Sequence, residues 1–175
     1  TIFYMSDGLI PKREQGYNWK EIVPGNTKKT LWTETYDIKD LPQVIQPKSG
    51  YIYNANHSPF KSTSNDENPN PNNFNSDMGF ELFDNNRSIR LKKLIDKKDK
   101  ISYEEFKEIK NDNSFPEKFS YIFMDINPLF DIDLDSNHEL KKILDILQSW
   151  DRKTDIDSVG AGIYGVLYYH LLGNY

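Results

Sequence analysis

The sequence has no cysteine, no long apolar run and no excess of basic residues. The lack of cysteine excludes disulfide bonds, thiolate catalysis and cysteine-ligated zinc, although it leaves the redox compartment open. No apolar stretch approaches the roughly 20 residues that a membrane-spanning helix needs. The net charge of −5 and the pI near 5.2 give no electrostatic footprint for nucleic acid or for an anionic membrane.

The 175 residues, of which 37% are hydrophobic and 14% aromatic, are enough to build the core of a single domain. The pattern changes along the chain. Residues 1–60 contain short extended pieces separated by turn residues, which predicts a strand-rich part. Residues 61–77 are dense in Asn, Ser, Asp and Pro, which predicts a solvated loop. Residues 78–175 have mainly helical periodicity, so the predicted class is α+β.

Two capping boxes predict helix starts in the second half. Ser102 is followed by Glu105, and Ser136 is followed by Glu139, each pair before an apolar stripe of helical spacing. Further helices are expected over about 86–95 and after Asp157 or Ser158. The last helix is apolar over much of its circumference, as in helices that lie between two layers, and the chain begins directly with strand-like residues. We therefore expect the chain to be a piece of a larger protein.

An ordered set of motifs carries a resemblance to a known family. The motifs are GLIPKR at 8–13, VPG at 23–25, LWTE at 31–34, QPKSGYIYNANHSPF at 46–60, NNRSIRLKKLID at 85–96 and SWDRKTDIDSVGA at 149–161. In this order they resemble the middle of the catalytic chain of penicillin acylases and acyl-homoserine-lactone acylases, which are N-terminal-nucleophile hydrolases. The resemblance implies a part of the αββα sandwich of those enzymes.

The resemblance also implies a mechanism and the role of one asparagine. In the family, the first residue of the processed catalytic chain cleaves an amide, and its own α-amino group activates its hydroxyl. Thr1 is not expected to be that residue, because the sequence after it resembles a family strand that lies well downstream of the start of the catalytic chain. The family's oxyanion-hole asparagine falls on Asn56, whose neutral amide donates hydrogen bonds at any working pH. From the local sequence alone, an Asx turn before Pro59 explains Asn54 and Asn56 better than catalysis does.

Other residues receive roles from the same resemblance or from their position. On an extended strand Asn54 and Asn56 point to one side, so Asn54 is expected to support the Asn56 amide or bond the backbone. Arg87 matches a family arginine near the active site; the alternative is a first-turn arginine that bonds loop carbonyls. Asp77 is where one ligand of the family's structural calcium would fall, with most ligands outside the chain. His57 is expected to be a loop hydrogen-bonder rather than a general base.

The resemblance predicts an amidohydrolase of penicillin acylase type, active on a small acyl amide and located in the periplasm or secreted. Its partners would be the rest of the acylase, which carries the nucleophile, and the other processed chain. No cofactor is needed for the chemistry. The alternative is a noncatalytic extracellular module that binds glycans or another ligand, which the 11 tyrosines and the Asn-rich loop would suit.

This interpretation predicts that the isolated chain hydrolyses no penicillin and no N-acyl-homoserine lactone. An oxyanion donor without a nucleophile stabilises a charge that never forms. Chromatography measures the products. If the purified chain releases product from either substrate, the assignment of the nucleophile to another segment is refuted.

Overall fold

The computed structural model describes residues 1–6, 8–119, 127–132 and 138–174. The chain divides into two compact units, Thr1–Asp84 and Asn85–Tyr175. The described residues form four α-helices and one two-stranded sheet, which confirms the mixed α+β class. The family sandwich stays a prediction. No helix among the described residues is long and apolar enough to cross a membrane.

The first unit contains less strand than its sequence predicts. Strand β1 (Phe3–Met5) pairs with β2 (Gln43–Ile45) in antiparallel register, with Tyr4 opposite Val44. The extended piece at 31–36 makes only an isolated bridge from Thr35 to Pro11, and the piece at 50–54 is not a strand. The prediction of a strand-rich first half is therefore wrong for the described residues. β-Propensity measures the fit to a neighbouring strand, and among the described residues these pieces have at most a single bridge to one.

Short 3₁₀ turns take the place of the missing strands. Each begins after a residue whose side-chain oxygen accepts a hydrogen bond from the backbone N–H two positions later. Ser, Thr, Asp and Asn form such local bonds readily and so compete with regular structure. The turns are Lys28–Thr30, Ile38–Asp40, Pro59–Lys61, Pro71–Asn73 and Ser76–Met78.

The Asn-rich segment 61–77 is less solvated than its composition predicts. Ser62 and Thr63 are 1% and 0% exposed, and Phe74 packs on the buried Phe60 with ring centroids 5.4 Å apart. The prediction of a solvated loop is wrong at these positions. Polar side chains are tolerated in the interior here because they are hydrogen-bonded, Ser62 to the Pro59 carbonyl and Thr63 to that of Tyr51.

The second unit contains the four helices, as its periodicity predicts. They are α1 (Asn86–Asp96), α2 (Tyr103–Lys110), α3 (His138–Ser149) and α4 (Val159–Asn174). The capping box of Ser102 and Glu105 is confirmed at the start of α2, and Asn85 with Ser88 forms another before α1. The box predicted at Ser136 lies outside the described residues. Caps are encoded locally, which is why helix starts are readable from the sequence.

Helices α3 and α4 pack around an aromatic core made of Phe119, Phe130, Leu147, Trp150 and Tyr164. Arg152 lies over two of these rings, with its guanidinium carbon 4.6 Å from the Phe119 centroid and 4.1 Å from that of Phe130. Burial raises the pKa of Tyr164 to about 12. At the start of α4, the indole of Trp150 packs directly against Gly160, because a β-carbon at this position would lie 2.5 Å from Trp150 Cγ.

We predict that Gly160→Ala destabilises the protein although alanine favours helices. The added methyl group would displace the indole, and overpacking of this kind costs about 1–3 kcal/mol. Gly162→Ala is the matched control, since no atom lies within 4 Å of its added methyl group. It should raise the unfolding free energy by up to about 1 kcal/mol. Equal effects of the two variants on thermal unfolding would contradict the role of Gly160.

Candidate functional site

The candidate site in the first unit is a tight turn at residues 54–57. The Asn54 Oδ1 atom accepts a hydrogen bond from the Asn56 backbone N–H at 2.7 Å. Asn56 is exposed and has a left-handed backbone with φ of 57°, a conformation that asparagine tolerates better than most residues. The expected Asx turn therefore exists, and this bond uses the side chain of Asn54 and the backbone of Asn56.

Asn54 also joins the turn to the sheet. Its side chain hydrogen-bonds the hydroxyl of Tyr4, which lies in β1. Burial raises the pKa of Tyr4, so the phenol stays protonated and remains a hydrogen-bonding group at any ordinary pH. The sequence predicts that Asn54 either supports the Asn56 amide or bonds the backbone, and Asn54 bonds the backbone. It also connects the turn to strand β1 through Tyr4.

The segment before the turn is held by the 62–68 loop. The Glu67 carboxylate accepts from the backbone N–H groups of Lys48 and Ser49, the latter at 2.8 Å. The Ser49 N–H is the main reason that the pKa of Glu67 lies below its ordinary value. Thr63 donates from its hydroxyl to the Tyr51 carbonyl at 2.8 Å, and the Asn68 side chain bonds both backbone groups of Thr63. These side chains satisfy backbone groups that a strand ladder would otherwise satisfy.

His57 closes the turn from the other side. Its Nδ1 lies 3.1 Å from the Ala55 nitrogen and its Nε2 lies 2.9 Å from the Lys61 carbonyl oxygen. The side chain is 8% exposed, and the ring stacks on Tyr53 with centroids 4.8 Å apart. His57 is a loop hydrogen-bonder, as expected from the sequence.

Arg87, the second candidate, lies in the first turn of α1 in the second unit. Its position follows from the reciprocal bonds of Asn85 and Ser88, which fix the start of the helix. Arg87 is exposed and lines a pocket of about 180 Å³ together with Asp112, Phe115 and Thr154. The pocket combines one guanidinium with a hydroxyl and an aromatic wall.

One lining residue of this pocket, Asp112, belongs to an ion pair. Arg90 donates from Nε and Nη2 to the two carboxylate oxygens of Asp112, at 2.8 and 2.7 Å. Asp112 also accepts from the backbone N–H of Ser114 at 3.1 Å. The Arg90 bonds are the main cause that lowers the pKa of Asp112, and Asp112 in turn raises that of Arg90. No local pattern in the sequence predicts this pair, because its partners lie 22 residues apart.

Asp77, the predicted calcium ligand, has other partners in this chain. Its carboxylate accepts from the Tyr36 hydroxyl at 2.8 Å, and its backbone carbonyl accepts from Arg13 at 2.5 Å. Burial raises the pKa of Tyr36, and the Asp77 carboxylate raises it further. No group of three His, Asp or Glu side chains suited to a metal ion occurs among the described residues. The described neighbours of Asp77 do not form a calcium site on their own, and calcium binding there stays a prediction.

The structure brings together Asn54 and Asn56 in one turn, whereas Arg87 belongs to the other compact unit. The sequence does not predict the supporting roles of Tyr4, Thr63 and Glu67, since bonds over 12 to 50 residues have no local signature. For Asn54 the signal was present, because an asparagine two positions before a turn residue is typical of an Asx turn.

Comparison with known proteins finds one family profile, described as Penicillin amidase, that matches residues 1–175. The chain is also similar to penicillin G acylase of Escherichia coli, with 39% identity over 61 residues. That matched region is 35% of this chain and 7% of the length of the relative. The similarity to the relative thus concerns a small part of a much longer protein.

We predict that Asp112→Asn lowers the stability of the second unit and makes it less sensitive to acid. The folded pKa of Asp112 is depressed, so its contribution is present above the ordinary aspartate value of about 3.9 and is lost as the pH falls through the depressed value. Glu104→Gln is the control, since its 73% exposed side chain pairs with Lys107 in solvent and is worth less than about 1 kcal/mol. Parallel stability curves for wild type and Asp112→Asn between pH 7 and acid would contradict this role.

Proposed function

The chain belongs to the penicillin amidase family, and we propose on that premise that it is a segment of an amidohydrolase that cleaves an acyl amide bond. The nucleophile lies on another segment of the same enzyme, at the start of its processed catalytic chain. Its hydroxyl attacks the substrate carbonyl after its own α-amino group takes the proton. This segment contributes a hydrogen-bond donor for the oxyanion that forms.

Asn56 is the proposed donor. The observation that carries this proposal is the turn at 54–57, where an exposed Asn56 follows a backbone that Asn54 and His57 hold by hydrogen bonds. A donor held in place before the reaction needs no reorganisation when charge develops on the carbonyl oxygen, and this makes such groups effective. A neutral amide also remains a donor at every working pH.

Arg87 is proposed to act as a fixed cation near the nucleophile. Its helix start is set by a capping box, and its pocket is braced by the Arg90–Asp112 pair, so the guanidinium projects from a rigid element. A planar guanidinium with several donors suits the orientation of polar groups around a nucleophile.

The proposed substrate is a small acyl amide of penicillin or N-acyl-homoserine-lactone type, and membership of the penicillin amidase family supports this proposal. The partners are the nucleophile-bearing segment and the other processed chain, and the location is the periplasm or the exterior of the cell. A structural calcium ion with Asp77 as one ligand remains part of the proposal, with the other ligands supplied by other segments.

Substitution of Asn56 in the processed full-length enzyme tests the proposal. Asn56→Gly removes the amide and relieves the left-handed backbone, so it separates the loss of a donor from backbone strain. We expect the acylation rate to fall by about 10²–10³ with little change in substrate binding. Asn56→Asp should be worse, because a carboxylate of nearly the same shape repels the oxyanion.

Asn73→Ala is the control, since it removes an exposed asparagine amide from the 3₁₀ turn Pro71–Asn73 of the same unit. Maturation is verified by mass spectrometry, and single-turnover kinetics then measure acylation. Near-normal acylation by both Asn56→Gly and Asn56→Asp would reduce Asn56 to a turn residue.

A further inference from the structure

The hydrogen bonds of His57 determine which of its nitrogens carries the proton. The Lys61 carbonyl oxygen accepts only, so the Nε2 atom 2.9 Å away must carry a hydrogen. The Ala55 backbone nitrogen donates only, so the Nδ1 atom 3.1 Å away must offer its lone pair. The folded turn therefore requires neutral His57 in its Nε2–H form.

This tautomer matters because two successive backbone N–H groups shape the turn. The N–H of Ala55 is held by His57, and the N–H of Asn56 is held by Asn54. Together they maintain the left-handed backbone of Asn56, which non-glycine residues rarely adopt without support. The ring itself has little freedom, since it is buried and stacked on Tyr53.

We propose that neutral His57 is a positioning residue for Asn56, and that a second proton on its ring releases the turn. This rests on the proposed function, in which Asn56 donates to the oxyanion. His57 does not touch the substrate. When Nδ1 takes a proton, its new N–H faces the N–H of Ala55, and two donors then oppose each other at hydrogen-bond distance. The Asn56 amide loses its fixed position, and the transition state loses a donor.

The imidazole has no carboxylate among its hydrogen-bond and ring contacts in the described residues. These contacts are the Ala55 N–H, the Lys61 carbonyl and the face of the Tyr53 ring. Lys61 also carries an ammonium that pairs with the Asp84 carboxylate at 2.7 Å, and Glu81, whose backbone carbonyl accepts from the Ser58 hydroxyl, adds a further carboxylate to the same segment. Histidine is also the side-chain type that ordinarily changes charge between about pH 5 and 8.

Three substitutions in the processed full-length enzyme separate the effects of the two hydrogen bonds that the His57 ring makes. His57→Asn keeps an acceptor near the Nδ1 position and cannot take a proton. His57→Gln keeps a donor toward the Lys61 carbonyl but no acceptor for Ala55. His57→Phe keeps the stacked ring and neither bond. We expect kcat to fall by about tenfold to a hundredfold in the Gln and Phe variants, because a shift of about 1 Å in a reacting group costs up to that much.

The pattern across kinetic constants distinguishes positioning from general stability. KM should change little, since Asn56 acts mainly in the transition state. His57→Asn should recover most of the wild-type kcat. His170→Gln is the control, because it replaces an exposed histidine on α4 in the other unit and should leave kcat unchanged.

The pH profile supplies a readout that a purely structural role would not move. The α-amino group of the nucleophile must also be unprotonated, so wild-type log kcat should fall in acid with a slope of about one and show an additional drop of about tenfold to a hundredfold where the His57 ring gains its second proton. His57→Asn should fall with a slope of about one and without the additional drop. The ionisation and tautomer of His57 are measured in the same enzyme by NMR with ¹⁵N-labelled histidine, with its signal assigned as the one absent from His57→Asn.

The outcomes of these experiments are distinct. A kcat loss in Asn56→Gly combined with unaltered kcat in His57→Phe and His57→Gln would overturn the role of His57 and leave the proposed function standing. Normal acylation by both Asn56→Gly and Asn56→Asp would overturn the donor role of Asn56 and, with it, the positioning role of His57. If His57→Phe fails to mature, the NMR measurement decides: a proton on Nδ1 at neutral pH, or a wild-type acid limb identical to that of His57→Asn, refutes the proposal.

Discussion

The requirement that buried backbone groups find hydrogen-bond partners governs the first unit. Its sheet consists of two strands of three residues each, which satisfies few of these groups. Side chains satisfy others: Glu67 serves the N–H groups of Lys48 and Ser49, and Thr63 serves the Tyr51 carbonyl. The shape of the 50–57 segment, and hence the direction in which Asn56 is presented, depends on these individual bonds.

This construction explains why the turn interpretation and the catalytic interpretation of the two asparagines are compatible. The Asx turn uses the side chain of Asn54, while Ser58 caps the next turn by accepting from Phe60. The first bond involves the backbone N–H of Asn56, and the second does not involve Asn56. The conformational cost of its left-handed backbone is offset by bonds from its neighbours, which is typical of residues held in sparsely populated conformations at functional sites.

The second unit is organised by different forces. Its aromatic core includes Trp150, which α4 approaches closely because Gly160 has no side chain. Arg152 lies over Phe119 and Phe130, so ring faces stabilise its cation where burial removes solvent. Arg87, in contrast, depends on a helix cap and on the bidentate Arg90–Asp112 pair. The two candidate residues, Asn56 and Arg87, are therefore supported by separate sets of hydrogen bonds.

The sequence by itself determined the helices and the family. Caps such as Ser102 with Glu105 act within one turn, and the spacing of apolar residues sets the buried face, so both are readable locally. The order of motifs carried the family assignment, which the profile over residues 1–175 supports. Only the tertiary structure decided that the extended piece at 50–54 is not a strand and that Thr63 is buried. It also decided that the Lys61 carbonyl selects the Nε2–H form of His57. Each of these depends on which distant or looped-back group supplies a hydrogen-bond partner, and that is a property of the folded chain.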